Sequence, residues 1–175
     1  GIDFKSGFEK GRMKLHQIDP AELSPGEFVH RVRQAVERDQ ARIIVIDSLH
    51  GYLNAMPEER FLTAQLHELL SYLGSRGVTT IMVVAQHGLV GSNMQTPVDT
   101  SYLADSVVLF RYFESNGKVK KAISVVKKQS GRHEESIREL IFSEHGISLS
   151  EPLSHFRGVL TGVPEAHGDQ ATWYG

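Results

Sequence analysis

One acid and one hydroxyl follow directly on a short and strongly apolar run of the chain. Residues 42 to 49 read RIIVIDSL, so that four branched apolar residues lead into Asp47 and Ser48. An uninterrupted run of this kind is typical of a strand that is buried on both faces of a parallel sheet. Open α/β sheets bind their ligands at the carboxyl ends of such strands. The run therefore predicts a polar site at Asp47 and Ser48, where a carboxylate suits a magnesium ion beside nucleotide phosphates.

Two interpretations fit this run equally well. It has the pattern of a Walker-B strand, whose aspartate holds a magnesium ion, often through water. It also fits an ordinary core strand in which Asp47 caps the next turn. A Walker-B strand is only half of a phosphate site, and the other half, the glycine-rich cradle GxxxxGK[ST], occurs nowhere in the sequence. The nearest run, residues 7 to 14, has neither the spacing nor a preceding strand.

Composition excludes several classes of protein. The 175 residues carry a formal net charge of −2 and no cysteine, so disulfides and thiolate metal sites are excluded and acidic partners are not favoured. No apolar run approaches the roughly 20 residues of a membrane span, and no signal-peptide pattern opens the sequence. We expect a cytoplasmic domain with no membrane contact.

Periodicity and turn signals predict the order β-α-β-α-β followed by two antiparallel hairpins. The first five elements are a half-exposed strand over residues 12 to 18, a helix opened by the capping box Ser24-Pro25-Gly26-Glu27, the RIIVIDSL strand, a leucine-striped helix from Pro57 to Gly74 and Gly77, and a strand over residues 78 to 85. The hairpin turns are expected at Ser115-Asn116-Gly117 and Glu144-His145-Gly146.

This order predicts an α/β fold with an open, mostly parallel sheet, flanked by helices and extended by carboxyl-terminal antiparallel hairpins. We expect residues 1 to 163 to form one domain and residues 164 to 175 to form a flexible tail. The glycine-spaced, charged segment over residues 1 to 11 is expected to be the end of a longer polypeptide cut upstream.

Four stretches, the first of them RIIVIDSL itself, carry a family resemblance. They are RIIVIDSL, SYLADSVVLFRY (residues 101 to 112), AISVVKKQSGRHEESIREL (residues 122 to 140) and HGISLSEPLSHFRGVLTGVP (residues 145 to 164). In order and spacing they resemble the carboxyl-terminal part of a KaiC-type ATPase domain of the RecA superfamily. The resemblance implies a RecA-like P-loop NTPase core that is truncated at its amino terminus. It also implies a fragment or shortened paralogue, because the family's P-loop and a strand ending in catalytic acids would precede this segment.

The resemblance assigns roles to residues at the strand ends. It makes Asp47 the magnesium-associated catalytic aspartate, with Ser48 beside it, and places Gln86 where RecA-like proteins have a polar sensor of the γ-phosphate. Ser101 matches the first residue of a Ser-Thr pair that is autophosphorylated in the circadian clock protein. The second position is Tyr102 in this chain, so a two-site phosphorylation cycle is not implied.

The resemblance assigns a second group of residues to the neighbouring subunit's nucleotide. Lys127 matches a lysine that reaches across a subunit interface, and His133 lies on the same nucleotide-facing loop, together with Lys128 and Gln129. Where the family usually has an arginine, Gln129 is neutral and gives no bidentate charge-assisted contact. Without the resemblance, Lys127 and Lys128 are better interpreted as solvated ends of a hairpin strand.

The resemblance implies an ATPase that uses ATP and Mg²⁺ and also has autokinase activity. It implies a homo-oligomer in the form of a hexameric ring, which binds regulatory protein partners. The implied biological role is bacterial or archaeal signalling or timing. This chain alone is expected to be inactive, because the Walker-A loop and the upstream acids are absent from it. One alternative is a non-catalytic oligomerisation or interaction module. Another is a DNA-recombination ATPase of RecA type, but the net acidity and the lack of a basic, aromatic-interleaved stretch count against nucleic acid.

Overall fold

The computed structural model describes residues 4–19, 22–49, 51, 59–85, 103–161 and 165–166. The chain divides into two compact units, residues 2–85 and residues 86–175, and each is described by itself. In chain order the first unit contains α1 (Phe4–Glu9), α2 (Pro25–Glu37), β1 (Ile43–Asp47), α3 (Glu59–Ser75) and β2 (Thr79–Val83).

Helix α2 begins at the predicted capping residues. The Ser24 hydroxyl accepts a hydrogen bond from the Glu27 backbone N–H at 3.2 Å, and Pro25 occupies the first turn, where a missing N–H costs nothing. The reciprocal half of a capping box is absent from the described contacts, because the Glu27 carboxylate accepts from Arg31 at 2.7 Å instead. The predicted helix start is therefore confirmed, with a simpler cap than the sequence pattern indicates.

Helix α3 buries the predicted leucine stripe. Its four leucines at helical spacing are at most 2% exposed: Leu62, Leu66, Leu69 and Leu73. The helix continues through Gly74 and ends at Ser75, and the predicted terminator Gly77 follows with a φ of 67° that lets the Val78 N–H reach the Leu73 carbonyl at 3.0 Å. Two of these leucines pack with Val32 of α2 and with Val78, and Ile44 of β1 lies against the same cluster.

Strands β1 and β2 pair in parallel, in a register that runs from Ile43 opposite Thr79 to Asp47 opposite Val83. The strands are confirmed, but the expected burial of β1 on both faces is wrong in the described part of the chain. Ile46 is 8% exposed, whereas Ile43 and Val45 on the other face are 64% and 59% exposed. An apolar run shows only that both faces can be covered. Which face is covered depends on distant elements such as α2 and α3.

The strand expected over residues 12 to 18 does not form. The segment has no regular secondary structure, and Leu15 is 83% exposed. It leaves α1 through a turn in which the Gly7 carbonyl accepts from the backbone N–H groups of Arg12 and Met13. An ion pair of 2.7 Å between Lys14 and Asp39 holds it near the end of α2. Alternation alone does not make a strand, since a strand also needs a neighbour to complete its backbone hydrogen bonds.

The second unit contains a four-stranded antiparallel sheet in the order β3-β4-β5-β6. Its strands are β3 (Ser106–Ser115), β4 (Lys118–Lys128), β5 (Arg138–Ser143) and β6 (Gly146–Pro152). Asn116 and Gly117 adopt φ angles of 53° and 66°, as a two-residue hairpin turn requires. Both predicted hairpins are confirmed, and with the parallel pair they confirm the α/β class.

One face of this sheet is covered by the chain that follows it. Phe113, Ala122 and Val159 are each 1% exposed, and the Phe156 ring lies edge-on to Phe113 with centroids 6.1 Å apart. Phe156 is the first residue of β7 (Phe156–Arg157), and Val159 is the first residue of a 3₁₀ helix (Val159–Thr161). The strand β8 (Glu165–Ala166) pairs with β7, inside the segment predicted as a tail. The remainder of that segment lies outside the described residues.

Candidate functional site

The predicted magnesium ligand lies at the carboxyl end of the parallel pair. Asp47 is exposed and is the last residue of β1, opposite Val83, the last residue of β2. The strand is followed by a turn, in which the Gly51 N–H donates to the Ser48 carbonyl at 3.2 Å. Leu49, within this turn, is fully buried. Among the described residues, no hydrogen bond or ion pair engages the Asp47 carboxylate. The carboxylate is thus available to a ligand at the strand ends.

Two other predicted residues cannot be compared with this arrangement. Gln86, the predicted γ-phosphate sensor, follows β2 by three residues, and Ser101, the phosphorylation candidate, precedes β3. Both lie outside the described residues, so their roles stay predictions.

Lys127 lies next to an irregularity of β4 that the sequence did not indicate. Val107 pairs with Lys127 and Val108 pairs with Val125, so the intervening Val126 has no partner on β3. Such a bulge re-aims the side chain that follows it. Lys127 therefore faces the same side as the half-buried Val107, and it is itself half-buried.

The loop after β4 holds the remaining predicted residues. The Lys128 ammonium donates to the Arg132 carbonyl at 3.0 Å, which closes the loop over Gly131 with its φ of 77°. The Gln129 backbone N–H donates to the Asp105 carbonyl at 2.8 Å and fixes the loop to the start of β3. The half-buried His133 lies in the same loop. The predicted residues Lys127, Lys128, Gln129 and His133 thus lie at the end of β4 and in the loop that follows it, within the second unit.

Glu134 anchors the far end of this loop. Its carboxylate accepts hydrogen bonds from the Ser136 hydroxyl and the Ser136 backbone N–H, and Arg138 lies 3.4 Å away. These contacts, the Ser136 hydroxyl above all, lower the pKa of Glu134. Sequence reasoning missed Glu134 and also Arg132, a further cation of the loop. The spacing of Glu134, Ser136 and Arg138 is the signal that could have indicated a structured loop.

The end of β4 and the loop after it carry Lys127, Lys128, Arg132 and His133 within seven residues, and this density of basic residues favours an anion. Asp47 belongs to the first unit, where an exposed carboxylate at a strand end favours a hard cation.

Comparison with known proteins identifies the family. The family model described as "ATPase: KaiC" matches residues 3–154. The chain belongs to this family. Its KaiC-type assignment, made from the four quoted stretches, is therefore confirmed, and so is the RecA-type fold class. None of the described helices has both the length and the apolar character needed to cross a membrane.

The relatives of this KaiC-family chain are distant. It is 23% identical to the circadian clock protein KaiC3 of Synechocystis and to the circadian clock oscillator protein KaiC of Acaryochloris marina, in each case over 94% of the chain. It spans about a third of the length of these relatives, 32% and 31%. The crystal structure of a KaiC-like protein from Pyrococcus horikoshii has a TM-score of 0.67, at 22% identity over 85% of this chain and 64% of that one, and shows the fold.

Proposed function

We propose that this chain contributes two parts of the nucleotide site of a KaiC-type ATPase: the metal-binding acid and a cationic loop for the neighbouring subunit. The observation that carries the proposal is the exposed Asp47 carboxylate at the end of a parallel strand, in a chain of the KaiC family. A strand-end acid of this kind is placed for a nucleotide's magnesium ion.

The residues present fit Mg²⁺ and a phosphate chain. Asp47 would hold the metal ion through its carboxylate oxygens, with the Ser48 hydroxyl beside it. The bound Mg²⁺-ATP supplies the phosphoryl group that is transferred. Lys127, with the loop cations around it, would stabilise the charge on the transferring phosphate. Gln86 would sense the γ-phosphate, the role that its match to the RecA-like sensor position implies.

The finer parts of the proposal concern assembly and biology. A cation that acts on a neighbour's nucleotide ties hydrolysis to a ring, which we propose to be a homohexamer with regulatory protein partners. Two relatives carry circadian clock names, and we propose a signalling or timing role here, with Ser101 as the phosphate acceptor of an autokinase. Gln129 in place of the usual arginine weakens phosphate binding in this loop.

The test uses a chimera in which the family's P-loop segment precedes this chain. We expect Asp47→Asn to abolish Mg²⁺-dependent ATP hydrolysis while circular dichroism and thermal unfolding stay unchanged. Asp39→Asn is the matched control, since Asp39 is an exposed acid of the same unit that pairs with Lys14. Hydrolysis at the parental rate in Asp47→Asn would overturn the proposal.

Calorimetry of the unmodified chain with Mg²⁺-ATP should show no saturable binding at micromolar concentration, because a phosphate cradle is absent from its sequence.

A non-catalytic interaction module is the second candidate. The observation that favours it is the outer face of the antiparallel sheet, where Phe110 is 60% exposed, Phe142 57% and Ile147 69%. Exposed apolar patches of this kind mark interaction sites. A chimera that folds and forms rings but hydrolyses no ATP would favour this candidate over the enzyme.

A further inference from the structure

The loop between β4 and β5, residues 129–137, is anchored at both ends although it has no regular secondary structure. At its start the Gln129 N–H donates to the Asp105 carbonyl at 2.8 Å. At its end the Ile137 carbonyl accepts from the Leu153 N–H, also at 2.8 Å. A loop that is fixed in this way presents its side chains to a ligand with a small entropy cost on binding.

The basic residues of this loop region differ in whether their charges are already engaged. The Lys128 ammonium donates to the Arg132 backbone carbonyl at 3.0 Å, so it is used inside the loop. Arg138 donates to the Ser150 carbonyl at 2.9 Å and lies 3.4 Å from the Glu134 carboxylate. Arg132 is exposed, and its side chain has no hydrogen bond or ion pair to any described residue. Its guanidinium therefore keeps its five N–H donors for a ligand.

The loop region carries a surplus of positive charge after its internal pairs are counted. The loop has two acids, Glu134, which Arg138 matches, and Glu135. Glu135 thus stands alone against Lys128 and Arg132. A surplus of positive charge on a fixed loop favours a polyanionic ligand.

The unengaged guanidinium is attached to a stretch of backbone that Lys128 holds in place. The hydrogen bond from Lys128 to the Arg132 carbonyl closes the chain over Gly131, which adopts a φ of 77°. A Cβ atom at Gly131 would lie 3.8 Å from the Lys128 Nζ atom, so the ammonium packs directly against this turn. A charge-assisted hydrogen bond is stronger than a neutral one and keeps the Arg132 backbone in a preformed position.

We propose that Arg132 is the phosphate-contacting guanidinium of this loop and that Lys128 is a positioning residue, which acts through the Arg132 backbone. The inference deepens the proposed function and rests on it for the identity of the ligand, the phosphate chain of a nucleotide. A guanidinium binds two phosphate oxygens side by side, which neither the neutral Gln129 side chain nor a lysine ammonium can do. Inorganic polyphosphate offers the same oxygens.

The first experiment titrates the chain with inorganic tripolyphosphate and records amide and arginine Nε–H resonances. We expect saturable shifts at millimolar concentration for Gly131 and for the Arg132 Nε–H group. Arg132→Gln should weaken binding about tenfold or more, because a charge-assisted contact is lost. Lys118→Gln makes the same charge change at the exposed opposite end of β4 and should alter the affinity less than about twofold. Equal losses in the two variants, or unchanged binding in Arg132→Gln, would overturn the proposal.

A double-mutant cycle tests the positioning role of Lys128. Lys128→Met removes the bridge to the Arg132 carbonyl and should weaken tripolyphosphate binding, whereas Lys128→Arg retains N–H donors there and should restore it. Because Lys128 acts through Arg132, adding Lys128→Met to Arg132→Gln should cause little further loss. Fully additive losses would show that Lys128 contacts phosphate itself, and its positioning role would be wrong.

Two glycines test the shape of the loop without changing any charge. Gly131 and Gly117 have φ angles of 77° and 66°, so an alanine strains the backbone to a similar extent at either position. Gly131 lies in the loop, and Gly117 lies in the hairpin turn between β3 and β4. Gly131→Ala should weaken tripolyphosphate binding, and Gly117→Ala should leave it unchanged. Unchanged binding in a folded Gly131→Ala chain would contradict a preformed loop.

The P-loop chimera separates this inference from the proposed function. If both hold, Asp47→Asn abolishes ATP hydrolysis and Arg132→Gln lowers it about 100-fold. If Asp47→Asn abolishes hydrolysis while Arg132→Gln keeps the parental rate and the parental tripolyphosphate affinity, the inference fails and the proposed function stands. If Arg132→Gln loses tripolyphosphate binding while Asp47→Asn hydrolyses ATP at the parental rate, the proposed function fails, and the loop is a site for inorganic polyphosphate.

Discussion

The direction of the Lys127 side chain depends on one unpaired residue, Val126. In a regular strand Lys127 would share the face of Val125, whereas the bulge turns it to the face of Val107. In the P-loop chimera we expect Lys127→Ala to lower ATP hydrolysis by about 100-fold, as for the loss of one charge-stabilising group. Lys118→Ala, at the exposed opposite end of β4, should have no effect.

The trans-acting role proposed for Lys127 predicts a further result. When Lys127→Ala and wild-type subunits are mixed, activity should fall in proportion to the fraction of mutant interfaces, even where Asp47 is intact. Hydrolysis at the wild-type rate in fully mutant rings would show that Lys127 is a solvated strand end.

Glu37 shows how one hydroxyl tunes an exposed acid. The hydrogen bond from the Tyr72 hydroxyl, followed by the charges of Arg33 and Arg76, lowers the pKa of Glu37 from its ordinary 4.5. A lowered pKa means that the carboxylate stabilises the folded state above its ordinary pKa, and that this contribution is lost as the pH falls through the folded value.

We expect Tyr72→Phe to raise the pKa of Glu37 towards 4.5, because the ring and its cation contacts remain while the donor is lost. A carboxyl-selective NMR titration measures the pKa directly. The same change at Tyr112, in the other unit, should leave the Glu37 titration untouched. A Glu37 pKa that does not move in Tyr72→Phe would assign the shift to the arginines.

At the scale of the elements, helix α2 depends on its first turn. Ser24 satisfies one of the backbone N–H groups that a helix start leaves unbonded. Ser24→Ala should therefore reduce the free energy of unfolding by about 1 kcal/mol. Urea denaturation would show this as a lower midpoint with an unchanged slope. Ser71→Ala, at an exposed position inside α3, should be neutral or slightly stabilising, and an equal loss there would argue against the cap.

Elements with local signals could be predicted from the sequence, and those that depend on distant partners could not. Ser24-Pro25, the leucine stripe and Asn116-Gly117 fix a helix start, a helix face and a turn within a few residues. The alternation over residues 12 to 18 gave a wrong strand, because no sequence pattern shows whether a pairing strand lies alongside. The Val126 bulge likewise depends on the register with β3.

The residues of the candidate site also differ in whether the sequence alone could predict them. The strand-end position of Asp47 follows from the RIIVIDSL run alone, since such a run ends where a parallel sheet presents its ligand-binding edge. Lys127 and His133 needed the family resemblance, because two lysines at a strand end are ordinary surface residues. The anchoring of their loop by Glu134 needed the structure, since it depends on a turn closed by Ser136.

At the scale of the whole molecule, each unit has a sheet with one covered and one exposed apolar face. In the first unit the exposed face includes Ile43, Val45, Ile81 and Val83, which are between 40% and 64% exposed. In the second it includes Phe110, Tyr112, Phe142, Ile147 and Leu149, between 41% and 69% exposed. Contiguous apolar surface of this kind favours association with another chain.

The edges of the parallel pair strengthen this expectation. β1 and β2 pair with each other and with no other strand in the described part of the chain, so both present unpaired backbone donors and acceptors. β2 reads TTIMV and contains no charge or proline that would hinder pairing. We therefore predict that the isolated chain self-associates through β2, and that sedimentation across a dilution series shows a concentration-dependent mass.

A lysine placed on this strand tests the prediction. Ile81 is 49% exposed on the apolar face, and Ile81→Lys should raise the dissociation constant about tenfold or more, because the new charge would lose water or meet its own copy in the interface. Leu15→Lys is the matched control, since Leu15 is 83% exposed and lies outside any strand. Hydrogen exchange should report slower amide exchange over Thr79–Val83 at high than at low protein concentration. A monomer at every concentration, with those amides equally protected throughout, would rule out association through β2.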